Sequence, residues 1–217
     1  MEIKWLGHAC FLITADSGIK IITDPYESGF KGILNYGPVR ESADIVTISH
    51  QHGDHNYTGD LTGSPEVVQG TGKHQVKGIE FEGISCYHDK ALGQERGDNT
   101  IFSFTTDGIR ICHCGDLGHP LADDTIRSLG HIDVLLIPTG GPPPTLELDE
   151  AVNLWEQLQP NVVIPMHFRN DKCSFPKYDV NDLEKLEPKP TRLGRSEVKF
   201  TVGSLPSNQI IILEPAL

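Results

Sequence analysis

The chain of 217 residues predicts a layered α/β sandwich, and three observations carry that prediction. Short apolar runs punctuated by Gly, Asp and Pro fill the first half. Helical periodicity enters only later, between further strand-like runs. No apolar stretch approaches the roughly 18 residues that cross a bilayer. Strands followed by helices alternating with strands bury best as sheets that carry helices on their outer faces.

In chain order, "IKWL" and "CFLIT" flank "GHA" and read as a first hairpin, followed by the strands "KIIT" and "DIVTIS". "EVVQ", "HQVKGIEFEGISCYH" and "TIFSFTTDGIRICHC" continue the strand pattern, with Asp107-Gly108 as one turn signal. "LADDTIRSL" is the first plausible helix, and "DEAVNLWEQLQ" is the best. Ala151, Val152, Leu154, Trp155 and Leu158 recur at helical spacing behind an acidic first turn, and Pro160 closes the segment. "DVLLIP" and "NVVIPMHF" have the length of buried strands, "DVNDLEKL" reads as a short helix, and "EVKFTV" with "QIIILE" reads as a terminal strand pair. Neither "GGPPPT" nor "PKPTRLGR" separates independent cores, so residues 1–217 are expected to form one domain, with "GGPPPT" contributing a pocket wall.

The net charge of −12, from 18 basic against 30 acidic side chains, and a pI near 5.2 argue against a broad nucleic-acid or anionic-membrane footprint. A small-molecule substrate is the expected partner. The start lacks a cleavage site and reads as structure rather than as a secretion signal. Five cysteines without a CxxC pair fit reduced thiols in a cytoplasm.

The densest chemistry lies in "TISHQHGDHN". After a buried strand, His50 and His52 project to one side because the side-chain period is two. Gly53 permits a bend that returns Asp54 and His55 to the same point, before a helix expected near Asn56 or Tyr57. Three imidazoles beside a carboxylate must each be hydrogen-bonded, charged or coordinated, and they suit zinc, manganese or iron.

HxHxDH after an apolar strand resembles the signature of the metallo-β-lactamase superfamily. "WLGHACFLI", "IITDP", "CYHDK", "HCGDLG" and "IPMHF" follow in the order of its compact prokaryotic branch of zinc-dependent hydrolases, similar to ascorbate 6-phosphate lactonase. The resemblance implies a four-layer αββα sandwich and two divalent ions, zinc first and manganese second. It implies one ion held by His50, His52 and His88, a second by Asp54, His55 and His167, and Asp116 bridging both. A hydroxide activated by two ions would then attack a small ester, lactone or phosphoester, with Asp54 among the catalytic groups as well as the ligands.

His8, in the turn of the first hairpin, is a candidate to donate a proton or touch substrate, or a turn residue bonded to backbone. His113 is a second candidate for proton transfer, although its alternation with Cys112 and Cys114 also fits a buried hydrogen-bonding role. His119 is the remaining histidine expected near the site. Asp24 either orients a ligand histidine or caps the turn at Pro25. Arg96 and Asn99 are candidate substrate-binding residues; Arg96 either clamps a carboxylate or phosphate or pairs with Glu95 or Asp98. Residues 25–40 are long enough to form a lid or wall. The same fold supports mononuclear iron dioxygenases, the main alternative, and nucleic-acid processing enzymes, which the acidic balance disfavours. Oligomeric state is open.

Overall fold

The structure is a computed structural model that describes residues 1–217. Two sheets face each other. The first runs β13-β1-β2-β3-β4-β5, from β1 (Glu2–Gly7), β2 (Cys10–Thr14), β3 (Lys20–Thr23), β4 (Ile45–Ile48), β5 (Glu66–Gln69) and β13 (Glu197–Lys199). The second runs β12-β14-β11-β10-β9-β8-β7-β6, from β6 (Gly72–Val76), β7 (Ile79–Tyr87), β8 (Asp98–Thr106), β9 (Ile109–His113), β10 (Val134–Pro138), β11 (Val162–Met166), β12 (Thr191–Arg192) and β14 (Gln209–Ile212).

The main core lies between the sheets, where Ile3, Trp5 and Phe11 of one sheet join a cluster with Phe81, Phe102 and Ile164 of the other. Every residue of β10 and β11 is buried, as expected of parallel strands covered on both faces. Outside the second sheet, helices α1 (Asp123–Leu129) and α2 (Leu148–Leu158) close a second cluster through Leu129, Leu154 and Trp155. The backbone N–H of Glu147 donates to Glu150 Oε2 at 3.0 Å and fixes the start of α2. Helix α3 (Val180–Leu183) is a single turn that buries Leu183.

Three local expectations change. Irregular chain, rather than an α-helix, covers the outer face of the first sheet, with Tyr26, Leu34, Tyr36 and Val39 packed on Leu12, Ile22 and Val46. No helix follows the HxHxDH motif: 56–63 stays irregular, and Tyr57 N–H donates instead to Pro25 O at 2.8 Å. The two terminal strands do not pair with each other; β13 joins β1, whereas β14 lies between β11 and β12. Local apolar patterning shows that both are strands but carries no information about which sheet edge each completes. No helix is long and apolar enough to cross a membrane.

Strand direction locates the functional edge. β7 and β8 are antiparallel, as are β8 and β9, and β9, β10 and β11 are parallel. The C-terminal ends of β7, β9 and β11 therefore share one edge. In the first sheet β1, β3 and β4 are likewise co-directional. Loops leaving co-directional strands converge, and they carry His8, Asp24, His50 to His55, His88, Asp116 and His167.

Candidate metal centre

The buried strand β4 hands the chain to Ser49 and His50. Ser49 Oγ lies 2.9 Å from His50 Nδ1, which leaves Nε2 facing the centre without a partner. Nδ1 of His88 donates to Pro144 O at 2.7 Å, so its Nε2 carries the lone pair. His52, half-buried, completes a triad in which one ligand atom each from His50, His52 and His88 lie within 4.8 Å of one another.

A second group centres on His55. Its Nδ1 donates to Asp24 Oδ2 at 2.9 Å, and Asp24 Oδ1 accepts Ser49 N–H at 2.8 Å. Asp24 is fully buried, so of its two sequence readings the orienting one describes the geometry. His55 Nε2 faces Asp54 Oδ2 at 4.0 Å, and one ligand atom each from His55, His167 and His8 fall within 4.8 Å of one another.

Asp116 joins the groups. Its Oδ2 stands 3.2 Å from His55 Nε2, 3.2 Å from His88 Nε2 and 3.3 Å from His167 Nε2. Its backbone N–H donates to Asn99 Oδ1 at 3.0 Å, and Asn99 Nδ2 donates to Cys114 O at 2.9 Å. Gly115 enables this turn: φ is 54°, and a Cβ there would overlap Asn99 and Ser49.

Backbone strain concentrates at this edge. His8, Asp24 and His167 have φ of 53°, 39° and 56°, each a left-handed conformation costing a side-chain-bearing residue roughly 1 kcal/mol or more. Such residues persist where surrounding structure over-determines them.

The electrostatics follow from burial and proximity. Burial holds His50 well below the ordinary histidine range and lowers His88 and His52 as well. Burial also opposes charge on His55, but Asp116 and Asp24 outweigh it and raise that imidazole well above its usual value. Burial would raise Asp116, yet His167, His55 and His88 hold it well below the usual carboxylate range. Burial, followed by the neighbouring His167, pushes His8 down to about 3.

The donor set fits divalent metal ions. His50 Nε2, His55 Nε2, His167 Nε2 and Asp116 Oδ1 are all buried without a hydrogen-bond partner, an arrangement that costs free energy unless an ion is bound. Proton and metal compete for the same imidazole lone pairs.

A cavity of about 540 Å³ opens onto this centre, lined by His52, Asp54, Asp116, Phe30, Phe175 and Pro144 among others. The wall expected from 25–40 is present in Phe30, Lys31 and Ile33, and "GGPPPT" contributes Pro143 and Pro144. Arg96 also lines the cavity, and its guanidinium forms no ion pair with Glu95 or Asp98, the bland sequence reading.

Three site expectations are corrected. His113 cannot transfer protons to substrate: it is fully buried, with Nε2 against Ala9 O at 2.9 Å and Nδ1 accepting Gly115 N–H at 3.2 Å. Asn99 spends its amide on the turn that carries Asp116 rather than on substrate. His8 does not line the cavity, so it does not touch a substrate there. His119, expected near the site, belongs to neither donor group and does not line the cavity; its Nε2 accepts Tyr87 N–H at 3.1 Å.

Asp89 escaped the sequence reading. Its carboxylate accepts backbone N–H groups of Ala91, Gly93, Glu95 and Arg96 at 2.7 to 3.1 Å, and these bonds lower its pKa against the opposing effect of desolvation. The loop that presents Arg96 is thus wound around one carboxylate. A single Asp ahead of "KALGQERG" was the available signal.

The family model described as Beta-lactamase superfamily domain matches residues 2–167. A metal-dependent hydrolase of Archaeoglobus fulgidus is 30% identical over 199 residues, covering 77% of this chain and 83% of that protein. One from Methanopyrus kandleri is 28% identical over 243 residues, covering 99% and 97%. A crystal structure from Thermotoga maritima, described as a candidate zinc-dependent hydrolase of the metallo-β-lactamase superfamily, superposes with a TM-score of 0.81 at 32% identity, covering 98% of both chains. With the family model spanning most of the chain and the two-sheet architecture shared throughout, this chain belongs to the metallo-β-lactamase superfamily, among its metal-dependent hydrolases.

Proposed function

We propose that the chain hydrolyses a small ester, lactone or phosphoester bearing an anionic group, using two divalent ions. The observation that carries this reading is the position of Asp116: one carboxylate oxygen lies 3.2 Å from both His88 Nε2 and His55 Nε2, between the two donor groups. His50, His52 and His88 would hold one ion, and Asp54, His55 and His167 the other, with Asp116 shared. Zinc suits this donor chemistry first and manganese second. Such ions supply Lewis acidity and lower the pKa of water towards about 7.

The chain's own groups do the rest. Burial opposes ionisation of Asp54, but the neighbouring His8 and His55 keep it ionised; it faces the cavity and accepts a hydrogen bond that orients the attacking water. Phe30 and Phe175 exclude bulk water and take the apolar part of the substrate. Arg96 and Lys31 line the same cavity without an ion-pair partner, in a chain whose other lysines and arginines are mostly paired with carboxylates. They offer a fork and a point charge to a carboxylate or phosphate.

Metal analysis of protein purified without chelator, together with turnover on matched lactones, esters and phosphodiesters, tests the reading. About two zinc or manganese ions per chain with chelator-sensitive hydrolysis is the expected result. A single iron, oxygen consumption and no hydrolysis would replace it with the dioxygenase reading.

A further inference from the structure

His8 is buried completely, yet neither ring nitrogen has a hydrogen-bond partner. An imidazole in that position loses its hydration without compensation, so its retention calls for a ligand or a role. Two ordinary roles fail on geometry. The ring is absent from the cavity wall and cannot meet a substrate there. Its approach to Asp54, Nε2 to Oδ2 at 3.5 Å, is too long for a strong hydrogen bond.

The backbone around His8 is fixed from three directions. Trp5 Nε1 donates to His8 O at 2.9 Å, and the N–H of His167 donates to the same oxygen at 3.2 Å. Gly7 abuts the Tyr36 ring, where a Cβ would come within 2.6 Å of Cδ1. These contacts hold His8 at φ 53° and aim its ring at the second donor group. The ring centroid lies 4.0 Å from that of His167 and 4.9 Å from that of His55. Ligand atoms of His8, His55 and His167 all lie within 4.8 Å of one another, the same criterion that His50, His52 and His88 satisfy.

We propose that His8 is itself a ligand of the second metal ion, joining Asp54, His55 and His167. The proposal rests on the two-metal reading above. It makes the two donor groups unequal: the first is a triad of imidazoles, whereas the second combines three imidazoles with a carboxylate before Asp116 is counted. A donor set that rich in nitrogen favours zinc, cobalt or iron(II) over manganese and magnesium at this position.

The test uses the full chain labelled with ¹⁵N-histidine and titrated with zinc, followed by long-range ¹H–¹⁵N spectra. A metal-bound ring nitrogen resonates between the free lone-pair and the protonated positions, and through-bond assignment of His8 in the wild type requires no variant. His8 Nε2 should move to the metal-bound position as the second equivalent of zinc enters, and His8→Gln should weaken that equivalent by roughly tenfold or more while sparing the first. Two bound ions with both His8 nitrogens left at free or protonated positions would overturn the proposal and leave the two-metal reading standing. Movement of His8 with a single bound ion would instead overturn the two-metal reading and keep the ligand. If His8→Gln fails to fold, the wild-type titration decides alone.

Discussion

The two halves of the metal centre are held by different means. In the half formed by His50, His52 and His88, two of the three imidazoles have a nitrogen tied by a hydrogen bond: His50 to Ser49 at 2.9 Å and His88 to the Pro144 carbonyl at 2.7 Å. In the other half only His55 is so tied, through Asp24 at 2.9 Å, while His167 and His8 have no partner on either nitrogen. There the aim of the ring comes from the backbone, because both residues occupy left-handed conformations that neighbouring contacts enforce. One half is oriented by side-chain bonds and tolerates ordinary backbone; the other is oriented by strain and burial.

Asp116 is the point at which the comparison collapses, so its loss should have the largest effect. Asp116→Ala is expected to release both ions and lower turnover by roughly three orders of magnitude or more, whereas His88→Ala should empty only the first position. Metal content of the purified variants checks this, and an Asp116→Ala protein retaining two ions would refute the shared role.

Acidity should separate the halves. His50 and His88 are lowered by burial and are uncharged imidazoles at neutral pH, each with a free lone pair, so affinity at the first position should be nearly flat around pH 7. For His55, burial lowers the pKa, but Asp116 and Asp24 raise it well above the ordinary value, so an ion entering there must displace a proton. Affinity at the second position should therefore rise by about tenfold per pH unit through the neutral range, read by chelator competition at several pH values. Parallel profiles for the two ions would show that the halves are not distinct.

Gly115→Ala attacks the support common to both. A Cβ would overlap Asn99 and Ser49 in a turn with φ of 54°, and the expected cost is about 2 kcal/mol of stability plus a displaced Asp116. Thermal unfolding with metal titration reads both effects. Asp24→Asn keeps the shape but changes the support of both groups: it should weaken the second ion by roughly tenfold through His55, and the first ion less, because the same carboxylate accepts Ser49 Oγ–H and Ser49 holds His50. Arg96→Ala should touch neither half: metal content stays constant while KM for an anionic substrate rises by roughly tenfold and kcat holds, separating recognition from the centre. An unchanged KM for anionic against neutral esters would remove Arg96 from recognition.

Much of this centre was legible in the sequence because its residues sit at strand ends. HxHxDH follows a buried run, and His88, Asp116 and His167 each close or follow one, so local patterning locates them once strand direction brings those ends to one edge. What patterning could not show was which side-chain atoms would already be occupied. His113 and Asn99 share the loops and chemical types of functional groups, yet Ala9 O, Gly115 N–H, Asp116 N–H and Cys114 O consume their polar atoms. Those partners lie up to 104 residues away and leave no trace in spacing. Asp89 was missed for the opposite reason, since its four partners are backbone groups that any sequence supplies. The bland reading of Arg96 failed because Asp89 winds the loop so that its neighbours in sequence are not its neighbours in charge.

Gly53 was expected to serve a bend, but its φ is not positive; what requires glycine is the Phe30 ring, which a Cβ would approach to 2.6 Å. Glu27 N–H also donates to Gly53 O at 2.9 Å, so the wall of the cavity and the ligand loop are clasped together. The consequence concerns inheritance. A lineage exploring new substrates by altering the wall near residue 30 would perturb the ligand loop at the same step, and any side chain gained at position 53 would demand a smaller residue at 30. Specificity in this protein is thus expected to drift more freely through the Arg96 loop and through Pro143 and Pro144 than through the aromatic wall.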